Sequence, residues 1–365
     1  MRTSARILRC LLVLACQLLA TLAFANAPCR IAFDMGSSGI RAGASSSKAV
    51  GRADIDYLGP LWAGRGLKEN IDPTIRALLA LPREAGFAED CARVGGGFSA
   101  WRIALQQDAE KLVVDLARIE AASGVAVLVI PQATEGAYGY FGARQLLGER
   151  LLTSHVLDIG GGSLQIAGEQ STFGDMLGQK IWHRALCQLL RSPSTQHCLL
   201  QPMSGVEIGE ARRLVREKLG GVRVMLPESI SMTAISRPVT QGVAPAVARL
   251  LDQHVGQSRL QRAELTAAID SMAHLTIEET TKRLEVASKY AVYLLSDMLL
   301  VEGLMQATGV DVLHLAEIDL TNVPGLLADD KAFDWVDHYG CYLERLRAVG
   351  LDAYVSDPAT CLSGR

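Results

Sequence analysis

The chain has 365 residues, 36 of them Lys or Arg and 39 Asp or Glu, and 49% of it is hydrophobic. That length is enough for two domains with sizeable cores. A formal net charge of −3 gives no global attraction to nucleic acid or other long polyanions, so no nucleic-acid partner is expected without a local basic groove.

Residues 1–25 read as a cleaved secretory signal. Arg2, Arg6 and Arg9 make a basic start, an apolar run extends from Leu11 to Phe24, and small residues stand at Ala23, Ala25 and Ala27. The run is short for a membrane span. Cleavage is expected after Ala25, because Pro28 would hinder the peptidase at the alternative site after Ala27. Removal takes three arginines and no acid, leaving 33 basic against 39 acidic residues and a net charge of −6. The mature chain is expected to be periplasmic or secreted, with no membrane association. Its six cysteines, Cys29, Cys91, Cys187, Cys198, Cys341 and Cys361, suggest disulfides in an exported protein, although sequence leaves the pairing open. Proximity favours Cys187–Cys198 and Cys341–Cys361. No His/Cys spacing suits zinc, and the seven histidines form no cluster.

In chain order, Cys29–Asp34 reads as a short buried strand and Met35–Gly39 as the turn after it, with a less regular hairpin over 41–58. Apolar residues at Ile71, Ile75, Leu78, Leu79 and Leu81 predict a helix over Asn70–Ala85. Val94–Ser99 is strand-like, and a helix over Arg102–Ser123 follows. Val125–Ile130 is a continuous apolar run bounded by Gly124 and Pro131, the mark of a fully buried strand. A helix over Thr134–Glu149 comes next, then a strand, His155–Ile159, and its hairpin partner Leu164–Gly168. Strands alternating with helices imply an α/β fold with a largely parallel sheet. The second half is helix-rich: Val206–Leu219, Gln241–Val255 and Arg262–Met272 read as helices, and Ile277–Thr308 as one or two long ones.

Two segments share one design. Phe33–Arg41 (FDMGSSGIR) and Leu157–Gln165 (LDIGGGSLQ) each join an apolar strand, an Asp at its end, glycines and a hydroxyl. Glycine lets backbone N–H groups turn toward phosphate oxygens and approach them closely. A carboxylate at the strand end holds Mg²⁺ beside those phosphates, directly or through water. One such loop is weak evidence, because a strand-end Asp-x-Gly is commonly a plain turn. Two copies about 124 residues apart point to a shared phosphate site.

The pair resembles the phosphate loops of the actin-like ATPase superfamily. Within it the chain resembles the exopolyphosphatase/guanosine pentaphosphate phosphohydrolase (Ppx/GppA) family. Asp34, Gly36, Ser37 and Arg41 match its opening DxGSxxxR, Ser99-Ala100-Trp101-Arg102 its SAxR segment, and Asp158 to Ser163 its DIGGGS. Thr134-Glu135-Gly136 falls on its glutamate-bearing turn. A second resemblance is to the apyrases, carried by Glu135–Tyr140, Leu146-Leu147-Gly148 and Gln165, the last standing where Ppx/GppA members usually have glutamate.

The resemblance implies two actin-like (ribonuclease H-like) domains around an interdomain cleft. Residues 26–130 would form the first and 131–322 the second, with 323–365 packing back on the first. It implies Mg²⁺-dependent release of terminal phosphate from polyphosphate or a nucleotide. Glu135 would position or deprotonate the attacking water, while Asp34 and Asp158 hold Mg²⁺, with Gln165 supporting a water. Gly36, Ser37, Ser38 and Gly39, together with Gly160, Gly161, Gly162 and Ser163, would cradle phosphates. Arg41 and Arg102 would bind phosphate oxygens through their planar forks. It also implies neighbouring strands that bring Cys29 to Cys91, and a homodimer, since members often dimerise. Two departures favour a catalytically weak binding protein instead: Glu135 lacks the second acid usual before it, and Asp319–Gly325 replaces a glycine-and-arginine turn. A small-molecule kinase of the same superfamily is the third reading, disfavoured by export.

Overall fold

The computed structural model describes residues 29–191, 198–318 and 322–362. The signal read in residues 1–25, and Asp319 to Thr321 of the altered turn, lie outside the described residues.

Two mixed sheets form the frame. The first holds β1 (Arg30–Met35), β2 (Gly39–Ala44), β3 (Val50–Asp54), β4 (Ala92–Gly97) and β5 (Ala126–Val129), in the order β3-β2-β1-β4-β5. The second holds β6 (His155–Ile159), β7 (Leu164–Gly168), β8 (Thr172–Asp175), β9 (Met232–Ala234), β10 (Arg259–Gln261) and β11 (Val312–Leu315), in the order β10-β11-β9-β6-β7-β8. Each begins with a three-stranded antiparallel meander and continues through parallel neighbours of its first strand. The second sheet therefore repeats the plan of the first and adds β10 at its far edge. The sheet expected to be largely parallel is mixed in both copies. Short connections join the meander strands and force them antiparallel, whereas helical crossovers deliver the parallel ones.

Helices fall close to their predicted spans, with two differences. The helix expected over Arg102–Ser123 is two, Ser99–Gln107 and Ala109–Ser123, because Asp108 turns to an extended conformation and caps the second through Lys111 N (3.0 Å). Of the one or two helices expected over Ile277–Thr308 there are two, Ile277–Leu284 and Ser288–Thr308. The helix expected to reach Val255 ends at Leu250, and Asp252 has a positive φ of 52°.

Each sheet has its own core, and the first is not contiguous in sequence. Helices Val323–Ala328, Asp330–Asp337 and Tyr339–Val349 return to it, burying Trp335, Tyr342 and Leu346 against residues 31–130. Two tyrosines also satisfy the outer edge of β5. Tyr339 Oη donates to Val127 O (3.0 Å) and Val129 N donates to Tyr342 Oη (2.7 Å), groups that an unpaired edge would leave open. The second core draws on residues 157–313 alone. Three disulfides, Cys29–Cys91, Cys187–Cys198 and Cys341–Cys361, are the pairs expected. No helix among the described residues is long and apolar enough to cross a membrane.

Candidate active site

The two glycine loops meet across a cavity of about 630 Å³ between the sheets. Their backbones repeat each other. Gly36 N donates to Gly39 O (3.0 Å) in the first, and Gly160 N donates to Ser163 O (2.8 Å) in the second. Asp34 stands opposite Arg41 across β1 and β2, and Asp158 stands opposite Gln165 across β6 and β7. The amides of Ser37, Ser38 and Gly161 make no backbone hydrogen bond among the described residues, so they remain available as donors.

Two sets of glycines are required by contact. Gly39 has φ 149°, and a Cβ there would lie 2.2 Å from Ala53 O. A Cβ on Gly161 would lie 2.5 Å from Ser37 Oγ, and one on Gly162 would lie 2.8 Å from Ser99 Oγ. Close approach of the two loops thus needs the second run of glycines. Gly162 packs chiefly against Ser99 and does not line the cavity, unlike Gly36, Ser37, Ser38, Gly39, Gly160, Gly161 and Ser163.

Glu135 sits in the first turn of helix Gln132–Leu147, which rests on β7 through Gly136. Its carboxylate is 8% exposed and lines the cavity. Arg102 Nη2 donates to Oε2 at 2.6 Å and Gln165 Nε2 donates to the same oxygen at 3.0 Å. Ser163 Oγ lies 3.5 Å from both oxygens. The expected phosphate role of Arg102 does not fit its position. Its side chain is 1% exposed, outside the cavity lining; Nη1 donates to Ile130 O (2.8 Å), and the buried Nε has no hydrogen-bond partner among the described residues. Burial has committed the guanidinium to Glu135.

Burial pushes the Asp34 carboxyl up to about 6, against the pull of the Asn322 amide and Arg41. Burial, reinforced by Glu135 and Asp34, pushes Asp158 up to about 7. Two hard carboxylates, both resisting ionisation and both opening on one cavity, form a donor set suited to a divalent cation. Mg²⁺ commonly takes only one or two carboxylates and fills its shell with water and phosphate oxygens. Gln165 turns its amide nitrogen to Glu135. Among the described residues the only compact trio of His, Cys, Asp or Glu is His183, Cys187 and Cys198, whose sulfurs are bonded to each other.

Several cavity residues were not assigned a role from sequence. Lys180, near the start of helix Gln179–Leu190, donates from Nζ to Ser38 Oγ (3.1 Å) and lies 4.0 Å from Asp56. Asn322 N donates to Asp34 Oδ2 (3.0 Å). Arg52, Arg237 and Asp297 also line the space. The arginines on and after helix Gly205–Lys218 are taken up locally. Arg212 pairs with Glu302 (2.8 Å), Arg213 with Glu210 (3.0 Å), and Arg223 donates to Ala307 O (2.9 Å). Trp101 is a core residue against Tyr57.

Repeated meander lobes joined at paired glycine loops are the architecture of the actin-like ATPases, as the sequence led us to expect. The chain has the fold of solved Ppx/GppA structures. It matches a family member from Aquifex aeolicus at 17% identity and TM-score 0.58, covering 86% of this chain and 98% of that one. The type II variant of the Aquifex aeolicus Ppx/GppA phosphatase gives 16%, 0.57, 82% and 98%. An exopolyphosphatase from Cytophaga hutchinsonii gives 13%, 0.54, 85% and 98%. At such identities the likeness is one of fold. No family model matches the sequence, and no curated protein matches it significantly.

Proposed function

We propose that this chain is an exported, Mg²⁺-dependent phosphohydrolase that removes terminal phosphate from polyphosphate or nucleoside polyphosphates by water attack. The observation that carries the reading is the buried Glu135, fixed by Arg102, Gln165 and Ser163 where the two loops converge. Three disulfides and the basic-then-apolar start at residues 1–25 support export.

Cleaving a phosphoanhydride requires held phosphates, neutralised charge and an in-line water. The amides of Ser37, Ser38 and Gly161 supply donors, and Arg41 supplies a cation beside the first loop. Asp34 and Asp158 would hold Mg²⁺, which when bound offsets charge on the phosphate oxygens. Arg102 and Gln165 both occupy Oε2 of Glu135, leaving Oε1 with only the long Ser163 contact. Oε1 is therefore the atom that accepts a hydrogen bond, or a proton, from the attacking water.

Phosphate release with Mg²⁺ from polyphosphate, ATP, ADP and guanosine pentaphosphate, each offered alone, tests this. Release that disappears in Glu135→Gln supports the hydrolase. One observation favours a binding protein of little turnover: Glu135 lacks the second acid usual before it in the chain and is already paired with a cation. A ligand-dependent rise in melting temperature without phosphate release would establish that reading.

A further inference from the structure

The cavity has a second wall that phosphate chemistry does not use. Helix Ser288–Thr308 presents Tyr290, Leu294 and Asp297 along one side, and Val286 precedes them. Tyr290 is 60% exposed at the rim and Leu294 only 3%, so the apolar stripe runs inward. Lys289 packs its ammonium over the Tyr290 ring, 4.9 Å from its centre. Asp297 ends the stripe. Its Oδ2 accepts from Gln179, while its buried Oδ1 has no hydrogen-bond partner among the described residues.

Charge is distributed accordingly. The described lining holds four Lys or Arg side chains against five carboxylates. One of those cations, Arg52, is paired with Asp54 (2.9 Å). An inorganic polyphosphate carries charge on every unit and would have to desolvate it along Val286, Tyr290 and Leu294 toward a buried acid. A planar, uncharged ring meets the opposite conditions. It can stack on the tyrosine, lie on the aliphatic side chains and donate a hydroxyl or amino hydrogen to Asp297 Oδ1.

We propose that this wall holds the nucleoside of a nucleoside di- or triphosphate, so that the cleft takes nucleotides in preference to inorganic polyphosphate. The proposal rests on the phosphohydrolase reading of the same cleft. It is tested by comparing ATP with tripolyphosphate, both with Mg²⁺, on the wild-type chain and on Tyr290→Glu. Tyr290 is exposed, so the unliganded variant should melt with the wild type. The ratio of kcat/KM for ATP over tripolyphosphate is expected to exceed roughly tenfold, and to fall by about that factor in the variant, mainly through KM. A ratio near or below one, or a ratio unchanged by Tyr290→Glu, overturns the subsite and leaves the hydrolase standing. If neither substrate releases phosphate, the hydrolase reading fails and melting shifts decide the subsite. Stabilisation by ATP beyond that by tripolyphosphate, lost in the variant, supports it; equal stabilisation or none overturns it.

Discussion

The two glycine hairpins are near copies in backbone and differ in the residue facing the acid. Both close with the same hydrogen bond, and both set a side chain opposite the aspartate seven residues earlier. In the first that side chain is Arg41, which with the Asn322 amide draws Asp34 down to about 6 against its burial. In the second it is Gln165, a neutral amide, and Asp158 meets the like charges of Glu135 and Asp34 and stands at about 7. The neutral residue is free to donate to Glu135. One backbone design thus supports two tasks: on the proposed mechanism the first hairpin grips phosphate and the second steadies the group that handles water.

The largest expected effect removes what the second hairpin supports. Glu135→Gln should lower phosphate release by about 10²- to 10⁴-fold in steady-state assays at temperatures where its melting curve shows it folded. Gln165→Ala, which leaves the carboxylate but not its amide support, should lower kcat by roughly 10- to 100-fold with little change in KM. Arg41→Gln makes the first hairpin match the second, and should raise KM by roughly 10-fold while kcat holds. If Arg41→Gln and Gln165→Ala gave the same split between kcat and KM, the division of tasks would be wrong.

The smallest effect is on stability. Both aspartates have folded-state pKa values above the ordinary carboxylate range, so their contribution is full at pH below about 4 and is lost as pH rises through 6 and 7. Metal-free protein should therefore melt a few degrees lower at pH 8 than at pH 5, a loss on the order of a few kcal/mol. Asp34→Asn combined with Asp158→Asn should flatten that slope, and Mg²⁺ should oppose it in the wild type only.

The hairpins were legible because each writes its signal in nine consecutive residues: apolar strand, acid, glycines, hydroxyl. The Cys29–Cys91 pair followed from the fold, which sets β1 beside β4. The partners of Arg102, the Ile130 carbonyl and Glu135, lie 28 and 33 residues away, so sequence shows only an arginine at a helix start and not its contact with Glu135. Asp297 lies in a long apolar helix with nothing local to separate it from a solvated acid. Strands β9, β10 and β11 have three or four residues each, too few to display an alternation.

The return of the last helices to the first sheet has a consequence for assembly. Arg30 reaches Leu327 across 297 residues of chain, and the Trp335–Leu346 region completes a core begun at Ile31. The second core closes within residues 157–313. A chain emerging from a ribosome or a translocation pore with its N-terminus leading can therefore complete its middle before its beginning. Until Tyr339 and Tyr342 arrive, the edge of β5 and the apolar face behind it stay open, a window in which a chaperone has something to hold. The lobe synthesised first is the lobe finished last.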